Sequence, residues 1–409
     1  MAGEIDSGRL LDRIQLLGQI GRTPQGALAR LAGSDADKAG RDQLVAWIHE
    51  AGLEVAVDAI GNIHGLWRPD PDMVANPVLS GSHIDSVINA GIYDGCLGVL
   101  AALEVVQTLK ESGYVPRRPL GVVAFTNEEG VRFQPDMLGS LVAAGGMPLA
   151  TARALKATDG PTLGAELDRI GYSGPHAPGF LRPQAFVELH IEQGPVLEAE
   201  NLRLGVVDTL QGISWQRITI EGTANHAGTT PMHLRHDAGA VAARVIAFLN
   251  DFARAGKVAV ATVGTIAFAP NAINVIPARA SFTVDLRDPD ETRLVEAERA
   301  LAHRVAALGK VEGVRVASQR LARFQPVVFD TGIVARIEAS ARARGLAWRR
   351  MTSGAGQDAQ MMARVCPSAM IFVPSRDGIS HNPAEFTAPA DIVAGAQVLL
   401  DVMRGLGEG

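Results

Sequence analysis

Pro119-Leu120-Gly121-Val122-Val123-Ala124-Phe125-Thr126-Asn127-Glu128-Glu129-Gly130 is the stretch on which the fold turns. An uncharged, mostly apolar run ends in adjacent carboxylates, the pattern of a strand buried on both faces that delivers polar groups beyond its carboxyl end. Short apolar runs of the same kind recur at Pro77 to Leu79, Ala185 to Leu189 and Ser368 to Val373. They predict strands of a parallel or mixed sheet covered by helices. Leu97 to Glu111 carries Leu100, Leu103, Val106 and Leu109 at helical spacing and is predicted to be a crossover helix. Upstream, Asp35 to Glu54 reads as a helix through Leu44, Val45, Trp47 and Ile48, and Leu53 to Val57 with Asn62 to Trp67 as paired strands.

At 409 residues the chain exceeds the ~250–300 at which one hydrophobic core stops growing, so two domains are expected. Residues 211–325 differ in character from the rest. They read as strand (Trp215 to Ile220), helix (Asp237 to Ala255), strand (Val258 to Phe268), strand (Ala278 to Arg287), helix (Glu291 to Gly309) and strand (Val314 to Leu321). That β-α-β-β-α-β order is the ferredoxin-like split unit, which buries its sheet against its own helices and reads as an insertion. Residues 1–210 and 326–409 would then form one discontinuous α/β domain.

Hydrophobic residues make up 47% of the chain, and 38 basic against 44 acidic residues give a net charge of −6. The charges are mixed along the chain without a basic cluster, so a nucleic-acid partner is not expected. Cys96 and Cys366 are the only cysteines and lie in no CxxC pair, which predicts no disulfide framework and a reducing, cytoplasmic setting. The opening Met-Ala-Gly-Glu-Ile-Asp has acids where a secretory signal needs positive charge, and no run of ~18 apolar residues predicts a membrane span.

Ligand-type residues follow the predicted strand ends. His83 and Asp85, two apart, share a face of an extended backbone, so the Asp85 carboxylate is placed to accept the free ring N–H of His83. Asp94 stands in Tyr93-Asp94-Gly95, also a turn signature. Glu128 and Glu129 diverge from one backbone, one suited to ligation and the other to proton handling; the alternative is an acidic pair capping a helix that contains Arg132. His190 lies on an alternating strand with polar neighbours, and His381 in a polar loop before Asn382-Pro383. Histidines and carboxylates in this mixture suit Zn²⁺, Mn²⁺, Co²⁺ or Ni²⁺. Cys96, close to Asp94, starts an apolar helix and is expected to pack.

The sequence resembles the dinuclear-metal amidases, namely N-carbamoyl-L-amino-acid hydrolase, β-ureidopropionase and allantoate amidohydrolase, relatives of the di-zinc exopeptidases. The resemblance runs nearly end to end. Its motifs are Gly81-Ser82-His83-Ile84-Asp85-Ser86, Tyr93-Asp94-Gly95, Phe125 to Gly130, Glu188 to Pro195, Asn225 to Met232, Asn274-Val275-Ile276-Pro277, Asp285 to Asp288 and Ser353 to Gly356. It implies a mixed-sheet catalytic domain with a ferredoxin-like α+β lid that dimerises. It implies two divalent ions, His83 and His190 on one, Glu129 and His381 on the other, and Asp94 bridging, with Glu128 as general base; Asp85, set to fix the His83 tautomer, is counted with the catalytic residues. His226 is implied as oxyanion donor from the partner's lid, and Arg287 as clamp for a substrate carboxylate with Asn274 and Gln193 as helpers.

The alternatives are a polar turn around His226 and ordinary salt bridges from Arg287 to Asp285 or Asp288. One departure stands out: where the family commonly has Ser-Gly-Ala-Gly-His-Asp, this chain has Gln357, which bears on substrate choice. The implied reaction converts an N-carbamoyl-L-amino acid to amino acid, CO₂ and ammonia, with allantoate or another ureido acid as the alternative. A dipeptidase or aminoacylase is disfavoured by His190, since exopeptidase relatives often carry a carboxylate there. A silent binding protein on this fold would have lost the base or a ligand, and neither is missing.

Overall fold

The computed structural model describes residues 3–408. The chain forms two compact units, one from the segments up to Asp208 and from Phe329 onward, the other Thr209–Val328.

The first unit is built on strands β1 (Glu54–Val57), β2 (Ile63–Trp67), β3 (Val78–His83), β4 (Leu120–Phe125), β5 (Ala185–Ile191) and β6 (Leu204–Leu210). In the second unit lie β7 (Gly212–Glu221), β8 (Val260–Thr262), β9 (Ile266–Ala269), β10 (Arg279–Asp288), β11 (Arg315–Phe324) and the short β12 (Val327–Val328). The chain then returns with β13 (Trp348–Ser353) and β14 (Ser368–Val373).

In the first unit the sheet runs β1-β2-β4-β3-β5-β14-β6, with β13 added beside β6. The four central strands β4, β3, β5 and β14 are parallel. β2 and β6 flank them antiparallel, and β1 pairs antiparallel with β2. The central strands are buried along their whole length, as uninterrupted apolar runs demand when helices cover both faces. The helix Cys96–Glu111 makes the crossover from β3 to β4 and is buried from Cys96 to Leu109. Because these strands are parallel, their carboxyl ends share one edge, where loops carry polar groups without breaking the ladder. The sequence pattern did not reveal β6 or β13, which lie toward the edge.

Two local expectations change. Arg132 does not lie in a helix: after β4 the backbone loops until the helix Leu138–Ala143, so Glu128 and Glu129 cap nothing. Asn127 takes φ of +56°, which turns the chain sharply there, and its side-chain amide donates to the carbonyls of Phe133 and Pro135. The expected strand from Val258 to Phe268 is broken into β8 and β9. Asp285 pairs with Thr262, but Phe282 pairs with Ile266, so one extra residue is accommodated between them.

The second unit has sheet order β11-β7-β10-β8, with β9 also on β10. Its helices, Ala238–Arg254 and Glu291–Glu312, cover one face and enclose a core of Ile218, Ile220, Val241, Val245, Phe282 and Leu301. Val327 and Val328 pair with Leu210 and Thr209, so the segments entering and leaving the unit run side by side. That pairing makes the unit wider at both ends than residues 211–325.

Candidate metal centre

β3 ends on His83, and β5 carries His190 as its penultimate residue. Both rings are turned by backbone carbonyls: His83 Nδ1 lies 2.9 Å from the Asp85 carbonyl and His190 Nδ1 2.9 Å from the Ile191 carbonyl. A carbonyl only accepts, so each Nδ1 carries a proton, and Nε2 is the nitrogen left to face the site. The Gly95 N–H lies 3.1 Å from His190 Nε2.

Asp94 lies between the histidines. Its Oδ1 is 3.2 Å from His190 Nε2 and 3.8 Å from His83 Nε2, and its Oδ2 is 3.2 Å from His381 Nε2. Glu129 Oε2 is 3.4 Å from the same His381 nitrogen. Ligand atoms of His83, Asp94 and His190 lie within 4.8 Å of one another, and so do those of Asp94, Glu129 and His381. The Asp-Gly step is required by geometry: Gly95 has φ of +64°, and a Cβ there would come within 2.4 Å of the His83 ring.

Asp85 does something other than expected. Its carboxylate is 3.9 Å from His83 Nδ1, and the ring proton goes to its backbone carbonyl instead. The carboxylate oxygens accept the backbone N–H groups of Glu128 and Glu129, at 3.2 and 3.3 Å. Asp85 therefore holds the carboxylate doublet in place, because past the positive φ of Asn127 those amides point at it rather than along the sheet. Glu128 Oε2 is 3.5 Å from His83 Nε2, and Glu129 Oε1 accepts from Val87 N–H at 3.3 Å.

The electrostatics call for cations. Burial, then the neighbouring acids Asp358, Glu129, Asp94 and Asp85, hold Glu128 well above the usual carboxylate range. Burial and then Asp94 and Asp85 do the same to Glu129. Asp85 is pushed up to about 7 by burial and by Asp37. Burial acts to raise Asp94 too, but hydrogen bonds from His190 and His381 outweigh it and hold it well below its ordinary value. Burial pushes His83 down to about 4; on His190 it is overcome by Asp94 and Glu188, which raise that imidazole to about 9. Histidine nitrogens and crowded carboxylates aimed at common points are a donor set suited to borderline divalent ions.

Three buried acids escaped the sequence reading. Glu188 accepts from Ser82 Oγ at 2.6 Å and from Ala359 N–H at 2.7 Å, and Asp358 accepts from Ser140 Oγ. Glu385 accepts from the Tyr93 and Asp94 amides at 3.0 and 3.2 Å and from Ser380 Oγ, and is pushed up to about 7 by burial and Asp94. The available signal for Glu188 was its position two residues before His190 on one strand; for Glu385 there was none short of the fold.

Gln193 and Gln357 are brought together. Gln357 Nε2 donates to Gln193 Oε1 at 2.9 Å, and Gln193 Nε2 donates to Asp94 Oδ2 at 3.0 Å. Cys96 is buried, 3.0 Å from an Arg30 guanidinium nitrogen, and packs as expected.

Within the second unit, His226 is exposed, and its Nδ1 accepts from the Gly228 and Thr229 amides at 3.0 and 3.2 Å. The proton is therefore on Nε2, leaving a donor free to point outward. Asn274 is its neighbour, since His226 bridges Val275 and the Ala227 N–H donates to the Asn274 carbonyl at 2.9 Å. Arg287 sits at the other end of β10, bonded to Asp285 through Nε and Nη2, while Asp288 turns away to Arg293. From Arg279 to Arg287 the strand extends ~26 Å at ~3.3 Å per residue. Asn274 and Arg287 of one chain therefore cannot hold the same carboxylate.

Residues 79–405 match the profile of Peptidase family M20/M25/M40. The chain belongs to this family. A relative 40% identical over 99% of this chain and 100% of its own length is an N-carbamoyl-L-amino acid amidohydrolase of Geobacillus stearothermophilus. An allantoate amidohydrolase of Bacillus subtilis is 34% identical over 97% of each chain. A solved amidase of the hydantoinase/carbamoylase family from Burkholderia multivorans is 42% identical, with a TM-score of 0.95 over 100% of both chains. This M20 chain is a hydrolase of carbon–nitrogen bonds other than peptide bonds in linear amides, and its family is metal-dependent. Among the described residues no helix is long and apolar enough to cross a membrane.

Proposed function

We propose that the chain hydrolyses N-carbamoyl-L-amino acids with a pair of divalent ions, one held by His83 and His190, the other by Glu129 and His381, and both shared by Asp94. The observation that carries this is the Asp94 carboxylate, one oxygen directed at His190 and the other at His381. Ions bound there would supply Lewis-acid polarisation and water activation at neutral pH.

The protein's own groups do the rest. Glu128 receives the proton of the attacking water at a carboxylate oxygen. A carboxyl group with its affinity for protons raised by burial suits that task and the return of the proton to the leaving nitrogen. The C–N bond to the amino-acid nitrogen breaks, and the carbamate released decomposes to CO₂ and ammonia. Arg287 offers a planar guanidinium to the substrate carboxylate. His226 Nε2–H is the donor for the developing oxyanion. Because Asn274 and His226 lie at one end of β10 and Arg287 at the other, the reading is a homodimer in which a second copy completes each site, with Thr209–Val328 as lid. Allantoate is the second reading, favoured by the Bacillus subtilis relative.

The test is ammonia release from N-carbamoyl-L and D amino acids, N-carbamoyl-β-alanine and allantoate, by chelated enzyme reloaded with one metal at a time. Metal-dependent turnover of the N-carbamoyl-L class is expected, and Glu128→Gln should lower kcat by ~10²–10⁴-fold. Turnover confined to allantoate would replace the substrate assignment, and a Glu128→Gln enzyme as fast as wild type would remove the base.

A further inference from the structure

Apart from the metal centre, the first unit contains a cavity of about 380 Å³, within the ~300–1,000 Å³ usual for small-molecule sites. Leu79 of β3, Phe125 of β4, Leu181 and Met362 give it an apolar lining. His64 of β2 is part of the wall, and the strand registers put it on the same sheet face as Leu79 and Phe125. His64 is only 5% exposed, and neither ring nitrogen has a hydrogen-bond partner among the described residues. A buried imidazole is an expensive group to leave unpaired, and nearly all such groups in folded proteins are satisfied. Burial, and then His176, pushes His64 down to about 3, so it is neutral at working pH, with one nitrogen donating and the other accepting. Among the described residues Arg182 is the one charged residue lining the cavity, and it is exposed.

We propose that this cavity binds a small carboxylate with an apolar, hydroxyl-bearing body, the carboxylate paired with Arg182 and the hydroxyl with His64. The apolar lining matches the body of such a molecule, and a guanidinium matches its charged end. A hydroxyl both donates and accepts, as a neutral imidazole does. No residue of this site belongs to the metal centre, so it stands whichever substrate that centre takes.

Calorimetric titration of the full-length, metal-loaded enzyme with 4-hydroxyphenylacetate tests it, beside phenylacetate, which lacks the hydroxyl, and 4-hydroxyphenylacetamide, which lacks the charge. Saturable binding is expected, at least ten-fold weaker for either analogue and for Arg182→Ala, and lost in Ala144→Leu, because Ala144 also lines the cavity and the larger side chain would fill it. His64→Phe should bind 4-hydroxyphenylacetate and phenylacetate equally. If His64→Phe does not fold, the surface variant Arg182→Ala decides alone. Absence of saturable binding to wild type overturns the proposal. So does binding unchanged in either Arg182→Ala or Ala144→Leu, which would put the ligand elsewhere, the metal centre included.

Discussion

Several residues of the metal centre occupy backbone conformations that side chains seldom adopt. Asn127, Gln193 and His381 have φ of +56°, +55° and +54°, and each lies where the chain turns at the centre. Such conformations persist where the surroundings over-determine them, and here hydrogen bonds do so. Gln193 is held by its backbone N–H to Ser375 Oγ, and its side chain links Gln357 to the Asp94 carboxylate. This chain gives Gln357 an uncharged amide that orients Gln193 and thereby one Asp94 oxygen. Gln357→Ala should lower kcat about ten-fold, on the order of one lost amide–amide hydrogen bond, with metal content unchanged. Gln357→His should alter the ranking of substrates in the ammonia assay more than the maximal rate. Equal ranking and rate in both variants would show that the amide chain has no part in turnover. The ligand-type residues were legible in the sequence because each sits at a strand end in a distinct motif. The role of the Asp85 carboxylate was not, because it depends on where the loop after β4 folds back.

The element that matters most is the loop between β4 and the helix Leu138–Ala143, which presents Glu128 and Glu129 to a cluster of buried acids. Asp85 and Glu385, each raised to about 7, keep their protons in the folded metal-free chain at pH values where the unfolded chain, with carboxyls near 4, has already lost them. The folded state then binds more protons, so stability is present at about pH 4 and falls as pH rises toward 7. A tenfold difference in proton affinity between the folded and unfolded chain corresponds to ~1.4 kcal/mol per group. Chelated enzyme should therefore melt at progressively lower temperature from pH 5 to 8, and reloading with a divalent ion should raise the melting temperature more at pH 8 than at pH 5. A metal effect that shrinks with rising pH would contradict this account. The central strands were readable as elements because burial on both faces writes an uninterrupted apolar run. β6 and β13 were not, because strands toward the edge of a sheet need no such run, and the break between β8 and β9 depends on the register against β10.

For the whole molecule, the question is which groups complete one site. The opposite placement of Asn274 and Arg287 along β10 leads to a complementation experiment. In the proposed dimer, Glu128→Ala and His226→Ala are each expected to abolish activity, one by removing the proposed base and the other by removing the proposed donor to the neighbouring copy's site. Refolded or exchanged together, they should recover about a quarter of wild-type activity, because half the two-fold dimers are mixed and each has one intact site. No recovery, with mixed dimers verified by mass, would mean that His226 serves its own chain.

The sequence by itself determined the sheet's central strands, the two helices of the second unit with the strands before, between and after them, and the family, because these are written in local periodicity and contiguous motifs. It also supplied His83, Asp94, Glu128, Glu129, His190 and His381. Tertiary structure alone decided that parallel strands bring those six to one edge, that Glu188, Asp358 and Glu385 crowd the centre, and that His64 lies unpaired in a cavity wall. The physical reason is that charge crowding, proton affinity and cavity shape arise between segments far apart in the chain, and no local pattern records which segments will meet.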